Sequence, residues 1–341
     1  MFSPISSTET YVIAEVGQNH QGDYETALNF ISKFAECGAN AIKFQTRNNK
    51  YLFSEEAYNK SYNSRNAFSE VYGEHRELLE LDPALLYDLK AECDRNNVDF
   101  MSTPFDEPSI EVLLKVGVKS LKVASFDIGN LPLIDKMAKT KLPLVVSVGG
   151  GNFEQIAASV ETVLAHHDDL AILHCVSEYP CPVERLGLNA IPFLQEKFPN
   201  VTVGLSDHFN GILSGPVAYM KGARVFEKHV TFDRSQKGTD HPFSLEPEGF
   251  RRFVRDIRRV PEMMEPKKDG TLGNEPVFQK LGKSLVLNKP MAEKEIITID
   301  DLSGRIFNEN VIPVRQANEV IGRRLKRALP AWTSISFDDL V

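Results

Sequence analysis

The sequence predicts an α/β protein in which a (β/α)8 TIM barrel is followed by a small C-terminal β-rich domain. Eight short apolar runs rich in β-branched residues alternate with helical segments, a pattern that is typical of a parallel sheet. These units occupy about 250 residues, the usual size of a closed barrel of this kind. No Gly-x-Gly-x-x-Gly turn follows the first run, so an open doubly wound sheet is the less favoured alternative.

The predicted strands are the eight apolar runs, at residues 11–16, 41–45, 98–102, 121–124, 144–148, 171–176, 201–205 and 225–230. Amphipathic segments lie between them. Residues 24–37 place Ala27, Ile31 and Phe34 on one face, as expected of a helix packed on a sheet. Gly38 follows at the position where helices commonly end. Residues 83–95 and 109–116 repeat this pattern.

The character of the chain changes after Pro266. We predict a catalytic barrel at residues 1–266, a linker at 267–283 and a β-rich domain at 284–341. The last of these contains a short internal repeat, because residues 297–302 and 335–340 share one pattern and each follows a turn with proline. A domain of this size has little core of its own and usually docks on a larger one.

Composition excludes several classes of function. The net charge is −8 and no basic run is present, which argues against a nucleic-acid surface. No apolar run reaches the length of a membrane span, and residues 1–10 lack a signal-peptide pattern. We therefore expect a cytoplasmic protein. None of the four cysteines forms a Cys-x-x-Cys pair; a Cys175–Cys181 disulfide is conceivable, but reduced thiols are expected in the cytoplasm.

Polar side chains follow every predicted strand, at the end of a barrel where active sites are built. They include Glu15, Lys43, Gln45, Thr103, Lys122, Ser125, Asp127, Ser147, Ser177, Tyr179, Ser206, His208, Glu227 and His229. Singly, most have a structural explanation, such as a turn at Thr103 or a hydrogen-bonded histidine. Lys43 and Lys122 lie within strand patterns, where lysine is disfavoured, so we interpret them as anion-binding groups.

His208 and His229 follow the last two strands, which are neighbours in a closed barrel. Their placement predicts a shared divalent metal ion. Together, the strand-end residues indicate anion binding by lysines and hydroxyls, and carboxylates for proton transfer or for sugar hydroxyls. This combination suits one phosphorylated substrate and one polyhydroxylated substrate.

The same positions carry motifs that resemble those of the sialic acid synthase (N-acylneuraminate synthase) family, including its pseudaminate, legionaminate and spore coat polysaccharide biosynthesis protein E branches. The motifs lie at residues 13–22, 43–46, 72–76, 102–106, 122–125, 173–175, 204–208, 227–229 and 238–241. The segment from Ser284 resembles the antifreeze-like (SAF) domain that ends this family. The resemblance covers nearly the whole chain, and the ordered set of motifs is specific.

This resemblance implies a metal-dependent condensation of phosphoenolpyruvate with an N-acyl hexosamine aldehyde, giving a nonulosonic acid and phosphate. It assigns phosphoenolpyruvate to Lys43, Thr103, Lys122, Ser125, Ser147, Ser177 and Ser206. It assigns the sugar to Gln45, Asp127, Tyr179 and Arg305, the last from the partner subunit of a domain-swapped homodimer. His208 and His229 would bind Mn²⁺, or else Mg²⁺ or Co²⁺, and Glu15, Glu227 and Asp240 are the candidate catalytic carboxylates.

The sequence departs from the family pattern mainly on the sugar side. Asp127 stands where Glu is usual, and Ser177 stands where Asn is usual. After Ser147, Val-Gly-Gly-Gly at 148–151 stands where Thr-Gly-Met is more usual. The acceptor sugar therefore stays open, and a modified hexosamine is as compatible as N-acetylmannosamine. Two other functions are also compatible: a Schiff-base aldolase with Lys122 or Lys43 as nucleophile, and a non-catalytic carbohydrate-binding relative.

Overall fold

The computed structural model describes residues 1–2, 8–266, 275–307 and 311–341. Two compact units are present, Met1–Met264 and Glu265–Val341. Part of the predicted linker, residues 267–274, lies outside the described residues. In the part that is described, Pro276–Leu281 forms a short helix that begins with a proline at a position favourable for helix starts.

Eight parallel strands close into a barrel in the first unit, which confirms the predicted fold class. They are β1 (Tyr11–Gly17), β2 (Ala41–Thr46), β3 (Asp99–Pro104), β4 (Leu121–Val123), β5 (Leu144–Ser147), β6 (Leu170–Cys175), β7 (Thr202–Asp207) and β8 (Val225–His229). Each strand pairs with its successor, and β8 pairs with β1 to close the ring.

Helices connect the strands and cover the outside of the barrel. They are α1 (Tyr24–Glu36), α2 (Asn49–Leu52), α3 (Glu55–Tyr58), α4 (Tyr72–Glu77), α5 (Leu86–Arg95), α6 (Glu107–Val116), α7 (Leu131–Lys139), α8 (Phe153–Leu164), α9 (Ala190–Lys197), α10 (Ser214–Met220) and α11 (Pro247–Met264). The predicted helix at 24–37 agrees with α1, and Gly38 follows it in the left-handed region with φ 98°. No helix in the described ranges is long and apolar enough to span a bilayer.

The inside of the barrel changes from apolar to polar along the strands. Its lower part is filled by one buried cluster: Phe2, Ile13, Ala41, Met101, Val145, Ala171, Leu173 and Val225. Because side chains alternate with a period of two, the next inward position on each strand lies one layer higher. That layer holds Glu15 above Ile13, Lys43 above Ala41 and Glu227 above Val225. The polar strand ends are therefore stacked on an apolar plug.

Strand register sets which polar side chains are neighbours. Glu15 of β1 is opposite Lys43 of β2 on one side and His229 of β8 on the other. Ser206 of β7 is opposite Glu227 of β8. A Cβ atom at Gly204 would lie 2.1 Å from the carbonyl oxygen of Val225, so only glycine allows β7 and β8 to approach closely below this level.

Lys228 and Asp207 are also polar residues at strand ends, but they face away from the barrel interior. The Nζ atom of Lys228 lies 2.7 Å from Oδ2 of Asp207, and both side chains have 0% exposure. Ser214 donates a further hydrogen bond to the same carboxylate oxygen. This buried ion pair lies between the strands and the helix layer, where the ring of Phe253 is 5.9 Å from Lys228 Nζ. Its role is therefore structural.

The second unit has its own small core. It contains the helices α12 (Pro276–Leu281) and α13 (Ala317–Val320) and an antiparallel pair, β9 (Ser284–Leu287) and β10 (Leu302–Arg305). The core residues are Leu285, Leu287, Met291, Ile297, Ile312, Val320, Leu325, Leu329, Ile335 and Leu340. The internal repeat is confirmed: each copy forms a short 3-10 turn whose start is closed by a reciprocal capping box, Thr298 with Asp301 and Ser336 with Asp339.

All four cysteines are free and buried, including Cys175 and Cys181. The structure therefore contains reduced thiols, in agreement with the expectation for this chain.

Replacing Lys228 by Met should destabilise the barrel, because Asp207 would be left buried without its counter-charge. The loss in the free energy of unfolding should be about 3–5 kcal/mol, measured by urea denaturation. Lys221→Met is the matched control, since Lys221 is exposed at the end of α10 and should change stability by about 0.5 kcal/mol or less. Equal unfolding midpoints for the two variants would contradict a structural role for the Lys228–Asp207 pair.

Candidate active site

A cavity of about 610 Å³ opens at the C-terminal ends of the barrel strands. Most of the side chains that were predicted from the sequence line it. They are Glu15, Lys43, Gln45, Thr103, Lys122, Ser125, Ser147, Tyr179, Ser206, His208, Glu227, His229 and Asp240. The structure thus brings together residues from all eight strands and the loops that follow them.

Lys43 is the centre of a buried charge cluster. Its Nζ atom lies 2.6 Å from Oε2 of Glu15 and 3.6 Å from Oε2 of Glu227. It also donates a hydrogen bond to the Thr103 hydroxyl, at 3.1 Å. The Lys43 side chain is only 3% exposed, so these partners replace the water that would otherwise solvate its charge.

Lys122 lies on the other side of Glu227 and is held differently. Its Nζ atom donates to Ser147 Oγ at 2.6 Å and to the carbonyl oxygen of Val123 at 2.8 Å. Its nearest carboxylate oxygen, Oε1 of Glu227, is 4.0 Å away. Burial lowers the pKa of Lys122, although the charge of Glu227 opposes this shift. Lys122 is therefore a buried cation without a close counter-ion, which favours the binding of an anion.

Hydroxyl groups complete this part of the cavity wall. Ser206 donates to Oε1 of Glu227 at 2.9 Å. Ser125 lines the cavity, and its Oγ atom is 3.0 Å from Oγ of Ser177, which lies behind it. A Cβ atom at Gly149 would be 2.9 Å from Ser177 Oγ, so the glycine lets the loop after β5 pack closely against this serine. Lysines and hydroxyls together form a donor-rich surface suited to phosphate and carboxylate oxygens.

The two buried carboxylates have opposite tendencies to ionise. Burial raises the pKa of Glu15, and the charge of Glu227 adds to that increase while Lys43 opposes it. Burial would also raise the pKa of Glu227, but the charges of Lys122 and Lys43 and the hydrogen bond from Ser206 outweigh it and lower that pKa. Two carboxylates whose environments separate their pKa values are typical of an acid–base pair in an active site.

His208 and His229 lie side by side at the ends of β7 and β8, with ring centroids 5.5 Å apart. His208 Nδ1 is 2.8 Å from the carbonyl oxygen of Val176. Because a carbonyl only accepts, Nδ1 carries the hydrogen and Nε2 has the lone pair. Burial and the neighbouring His229 lower the pKa of His208 to about 4. The Tyr179 ring packs 4.2 Å from the His208 ring, centroid to centroid.

The donor set can be tested for its ability to hold a metal ion. His229 Nδ1 is buried without a hydrogen-bond partner, and it lies 3.7 Å from Oδ2 of Asp240. Burial lowers the pKa of His229, so both imidazoles are neutral at pH 7, as ligation requires. Across the described ranges, no group of three or more His, Cys, Asp or Glu side chains encloses an ion position. The two neutral imidazoles and the unpartnered Nδ1 of His229 are the observations that fit an ion with two imidazole ligands, whose other ligands would be oxygens of water or substrate.

Two of the predicted site residues in the first unit do not line the cavity. Ser177 is one layer behind Ser125. Asp127 is turned towards its own loop, where Oδ1 accepts from Asn130 at 2.9 Å and Oδ2 is buried without a partner. Arg305 belongs to the second unit, where its guanidinium lies 4.2 Å from the centre of the Trp332 ring. Its contact with the sugar of a partner subunit stays a prediction.

Two arginines line the cavity that the sequence did not single out as site residues. Arg47 follows β2 directly, and Arg76 lies in α4. Arg47 Nη1 contacts Oε1 of Glu80 at 2.9 Å, and Arg76 Nη1 contacts Oε1 of Gln18 at 3.0 Å. In the sequence, Arg76 could have been identified as a site residue because it ends the motif at residues 72–76. The direction of a loop side chain cannot be obtained from strand alternation.

Comparisons with known proteins agree with this architecture. Residues 30–269 match the NeuB family. The chain is 33% identical to an N-acetylneuraminate-9-phosphate synthase of Drosophila melanogaster, over 92% of this chain and 91% of that one. It is also 33% identical to an N,N'-diacetyllegionaminic acid synthase of Legionella pneumophila, over 98% and 96%. The crystal structure of a sialic acid synthetase from Leptospira borgpetersenii superposes with a TM-score of 0.70 at 31% identity, covering 79% of this chain and 91% of that one.

Replacing Glu227 by Gln should lower the pKa of Glu15. The substitution removes a like charge and leaves Lys43 to interact with Glu15 alone, and both changes favour the ionised form. Carbon-13 NMR titration of carboxyl-labelled glutamate would measure this, with Glu15→Gln used to assign the resonance. An unchanged Glu15 titration in the Glu227→Gln variant would show that the two carboxylates do not interact.

Proposed function

Because this chain belongs to the NeuB family, an enzyme family whose members form a carbon–carbon bond to make nonulosonic acids, we propose that it condenses phosphoenolpyruvate with an N-acyl hexosamine aldehyde. The products are a nonulosonic acid and inorganic phosphate. One observation carries this proposal: two buried lysines, a set of hydroxyls, two coupled carboxylates and a pair of neutral imidazoles face one cavity.

Phosphoenolpyruvate is assigned to the donor-rich wall. Lys43 and Lys122 supply positive charge, and Thr103, Ser147 and Ser206 supply further hydrogen bonds. Charge-assisted hydrogen bonds from buried groups are a strong way to hold a phosphate and a carboxylate. No carboxylate oxygen lies closer than 4.0 Å to Lys122 Nζ, so its charge would be available to such a ligand.

The chemistry requires two new bonds, one between carbon atoms and one from water to carbon, and one cleavage, of the C–O bond to phosphate. The methylene carbon of phosphoenolpyruvate attacks the aldehyde carbon of the open-chain sugar, whose oxygen becomes a hydroxyl and needs a proton. Glu15 is our candidate for holding that proton, since its raised pKa keeps part of its population protonated near neutral pH. Water then adds to the former enol carbon, and the C–O bond to phosphate breaks.

His208 and His229 would hold a divalent metal ion, with Mn²⁺ the preferred candidate. When bound, such an ion acts as a Lewis acid for the aldehyde oxygen and orients both reactants. Neutral imidazoles with oxygen ligands from water or substrate suit Mn²⁺ and similar ions. Asp240, which lies beside His229, and Gln45 and Tyr179 border the space assigned to the sugar.

A second candidate is a Schiff-base aldolase, which the lowered pKa of Lys122 favours. A lower pKa makes it easier for a lysine to lose its proton and then attack a carbonyl. Such an enzyme needs no metal and is trapped covalently by borohydride in the presence of its substrate. The family relationship favours the condensation, but this test separates the two.

The acceptor is the less defined substrate. Two relatives of similar identity are named for different products, N-acetylneuraminate 9-phosphate in one case and N,N'-diacetyllegionaminic acid in the other. Measuring phosphate release from phosphoenolpyruvate across a panel of N-acyl hexosamines would identify it. We expect turnover with at least one aldose, complete loss after exhaustive chelation, and recovery on addition of Mn²⁺. Full turnover by protein shown to be metal-free would contradict the metal proposal, and no turnover with any acceptor would contradict the condensation.

Lys122→Ala should weaken the binding of phosphoenolpyruvate by roughly ten- to a hundredfold, because a charged hydrogen bond contributes about 1.5–3 kcal/mol. Calorimetric titration would measure the change. Lys119→Ala is the matched control: Lys119 precedes the same strand, but its side chain is 59% exposed and pairs with Asp99. Unchanged affinity in a folded Lys122→Ala variant would place the phosphate elsewhere.

A further inference from the structure

Two histidines of the sequence motifs, His75 and His241, have no role in the proposed condensation. His75 lies in α4, and His241 directly follows Asp240 in the chain. Both side chains are buried, with exposures of 4% and 0%. Each of them anchors one of two neighbouring segments beside the active site. These are the α3–α4 connector, residues 59–71, and the Asp240 loop, residues 231–241.

His241 is joined to the loop after β1 through Gln21. Its Nε2 atom lies 3.0 Å from Nε2 of Gln21, and its Nδ1 atom lies 2.7 Å from Oγ1 of Thr231. Because an amide nitrogen only donates, Nε2 of His241 accepts and Nδ1 carries the hydrogen. The same amide group of Gln21 also donates to the carbonyl oxygen of Lys237. One amide therefore holds both ends of the short segment that carries Asp240.

Asp240 depends on this segment for its position. Its Oδ1 atom accepts a hydrogen bond of 2.9 Å from Thr239, its own neighbour, and Oδ2 lies 3.7 Å from Nδ1 of His229. Gly238 allows the chain to fold closely over His241, because a Cβ atom at this glycine would lie 2.7 Å from the Cδ2 atom of that ring. The carboxylate is thus positioned through the backbone of the Asp240 loop.

The α3–α4 connector carries a stack of aromatic rings. The Nδ1 atom of His75 accepts a hydrogen bond of 3.2 Å from the backbone N–H of Phe68. The His75 ring stacks on Tyr62 and on Phe68, with centroid distances of 4.7 and 5.9 Å. Lys237 of the Asp240 loop reaches this stack. Its Nζ atom lies 4.5 Å from the centre of the Phe68 ring, a favourable cation–π distance, and donates to the carbonyl oxygen of Ala67.

The two segments border a second cavity of about 190 Å³. Phe68 lines it from the connector, and Gly238, Thr239 and Asp240 line it from the loop. Thr239 and Asp240 also line the larger active-site cavity, on the side that we assign to the acceptor. Separation of the two segments would therefore open the acceptor side of the site. The donor-rich wall assigned to phosphoenolpyruvate is built on other strands and would keep its geometry.

We propose that Lys237 is a positioning residue that latches the Asp240 loop to the α3–α4 connector and so holds Asp240 beside the acceptor. This inference rests on the proposed condensation and adds a residue to it. A site whose latch is open for part of the time binds the acceptor more weakly, in proportion to the closed fraction. The KM for the acceptor is therefore sensitive to the latch. The kcat is not, because a saturating acceptor keeps the loop closed.

The first test is Lys237→Met, which removes the charge and the donor and keeps the length of the side chain. With the hexosamine that gives the fastest turnover, the acceptor KM should rise about three- to tenfold, while kcat and the KM for phosphoenolpyruvate change less than about twofold. Lys237→Arg should restore the acceptor KM, since it keeps the cation and the donors. A general loss of folded enzyme would instead lower kcat and leave the acceptor KM unchanged.

Lys197→Met is the matched control, because Lys197 is exposed on α9 and lies 5.5 Å from the centre of the Phe193 ring. It removes a similar lysine–phenylalanine contact away from the cavity, and its KM values should equal those of the wild type. Phe68→Leu tests the other half of the latch and should also raise the acceptor KM. The double variant with Lys237→Met should be no weaker than Lys237→Met alone, since both changes open one latch. Effects that multiply would overturn the proposal.

Backbone hydrogen exchange without substrates, followed by mass spectrometry, separates failure of the latch from failure of the condensation. Residues 59–71 and 231–241 should exchange faster in Lys237→Met than in the wild type or in Lys197→Met. Equal exchange in all three proteins, or faster exchange with an unchanged acceptor KM, would refute the proposal while the condensation stands. If the wild type condenses no acceptor, the condensation is refuted, and faster exchange of these two segments in Lys237→Met still supports the latch.

Discussion

The burial of four charged side chains at one end of the barrel is the constraint on which the rest of the site depends. Lys43, Lys122, Glu15 and Glu227 are each 5% exposed or less. A single buried ion costs several kcal/mol unless an opposite charge or several hydrogen bonds compensate for it. The closed barrel meets this requirement geometrically, since neighbouring strands hold Glu15 against Lys43 and Ser206 against Glu227. The same pairing would be difficult to achieve on mobile loops.

The positive and negative charges of this cluster are nearly balanced, and the balance depends on whether Glu15 is protonated. With both carboxylates ionised, the four charges sum to zero, although Lys122 is 4.0 Å from its nearest carboxylate oxygen, so an incoming anion gains less attraction than from two unpaired lysines. Protonation of Glu15, which its burial and the charge of Glu227 favour, leaves an excess of positive charge beside Thr103 and Ser147. The proton and the anion therefore favour each other's binding, as thermodynamic linkage requires. In the proposed condensation, such a site would take up its anionic substrate together with the proton that the aldehyde oxygen later needs.

Much of the fold and of the reactive end could be predicted from the sequence, because both follow from strand periodicity. The eight runs of β-branched residues predicted the barrel. Because the strands of a closed parallel sheet end on one face, the side chains that follow them lie close together. Loop residues follow no such rule. The carboxylate of Asp127 turns to Asn130, and Arg47 and Arg76 enter the cavity, without any periodic signal in the sequence. Lys228 and Asp207 also lie at strand ends, next to residues that face the cavity. Because side chains alternate along a strand, these two face the helix layer instead.

The division between strands and loops also separates two aspects of function. Side chains on the strands are fixed by the hydrogen-bonded ladder and by the apolar plug beneath them, so a change there disturbs the compensated charges. Arg76, Tyr72 and Thr239 lie on connecting segments, where substitutions affect fewer buried partners. The reacting groups are therefore constrained by stability as well as by chemistry. The part of the cavity wall that these connecting segments form tolerates substitution more easily. Differences in acceptor between related enzymes are most easily accommodated on this wall, because altering it leaves the charge balance around Lys43 intact.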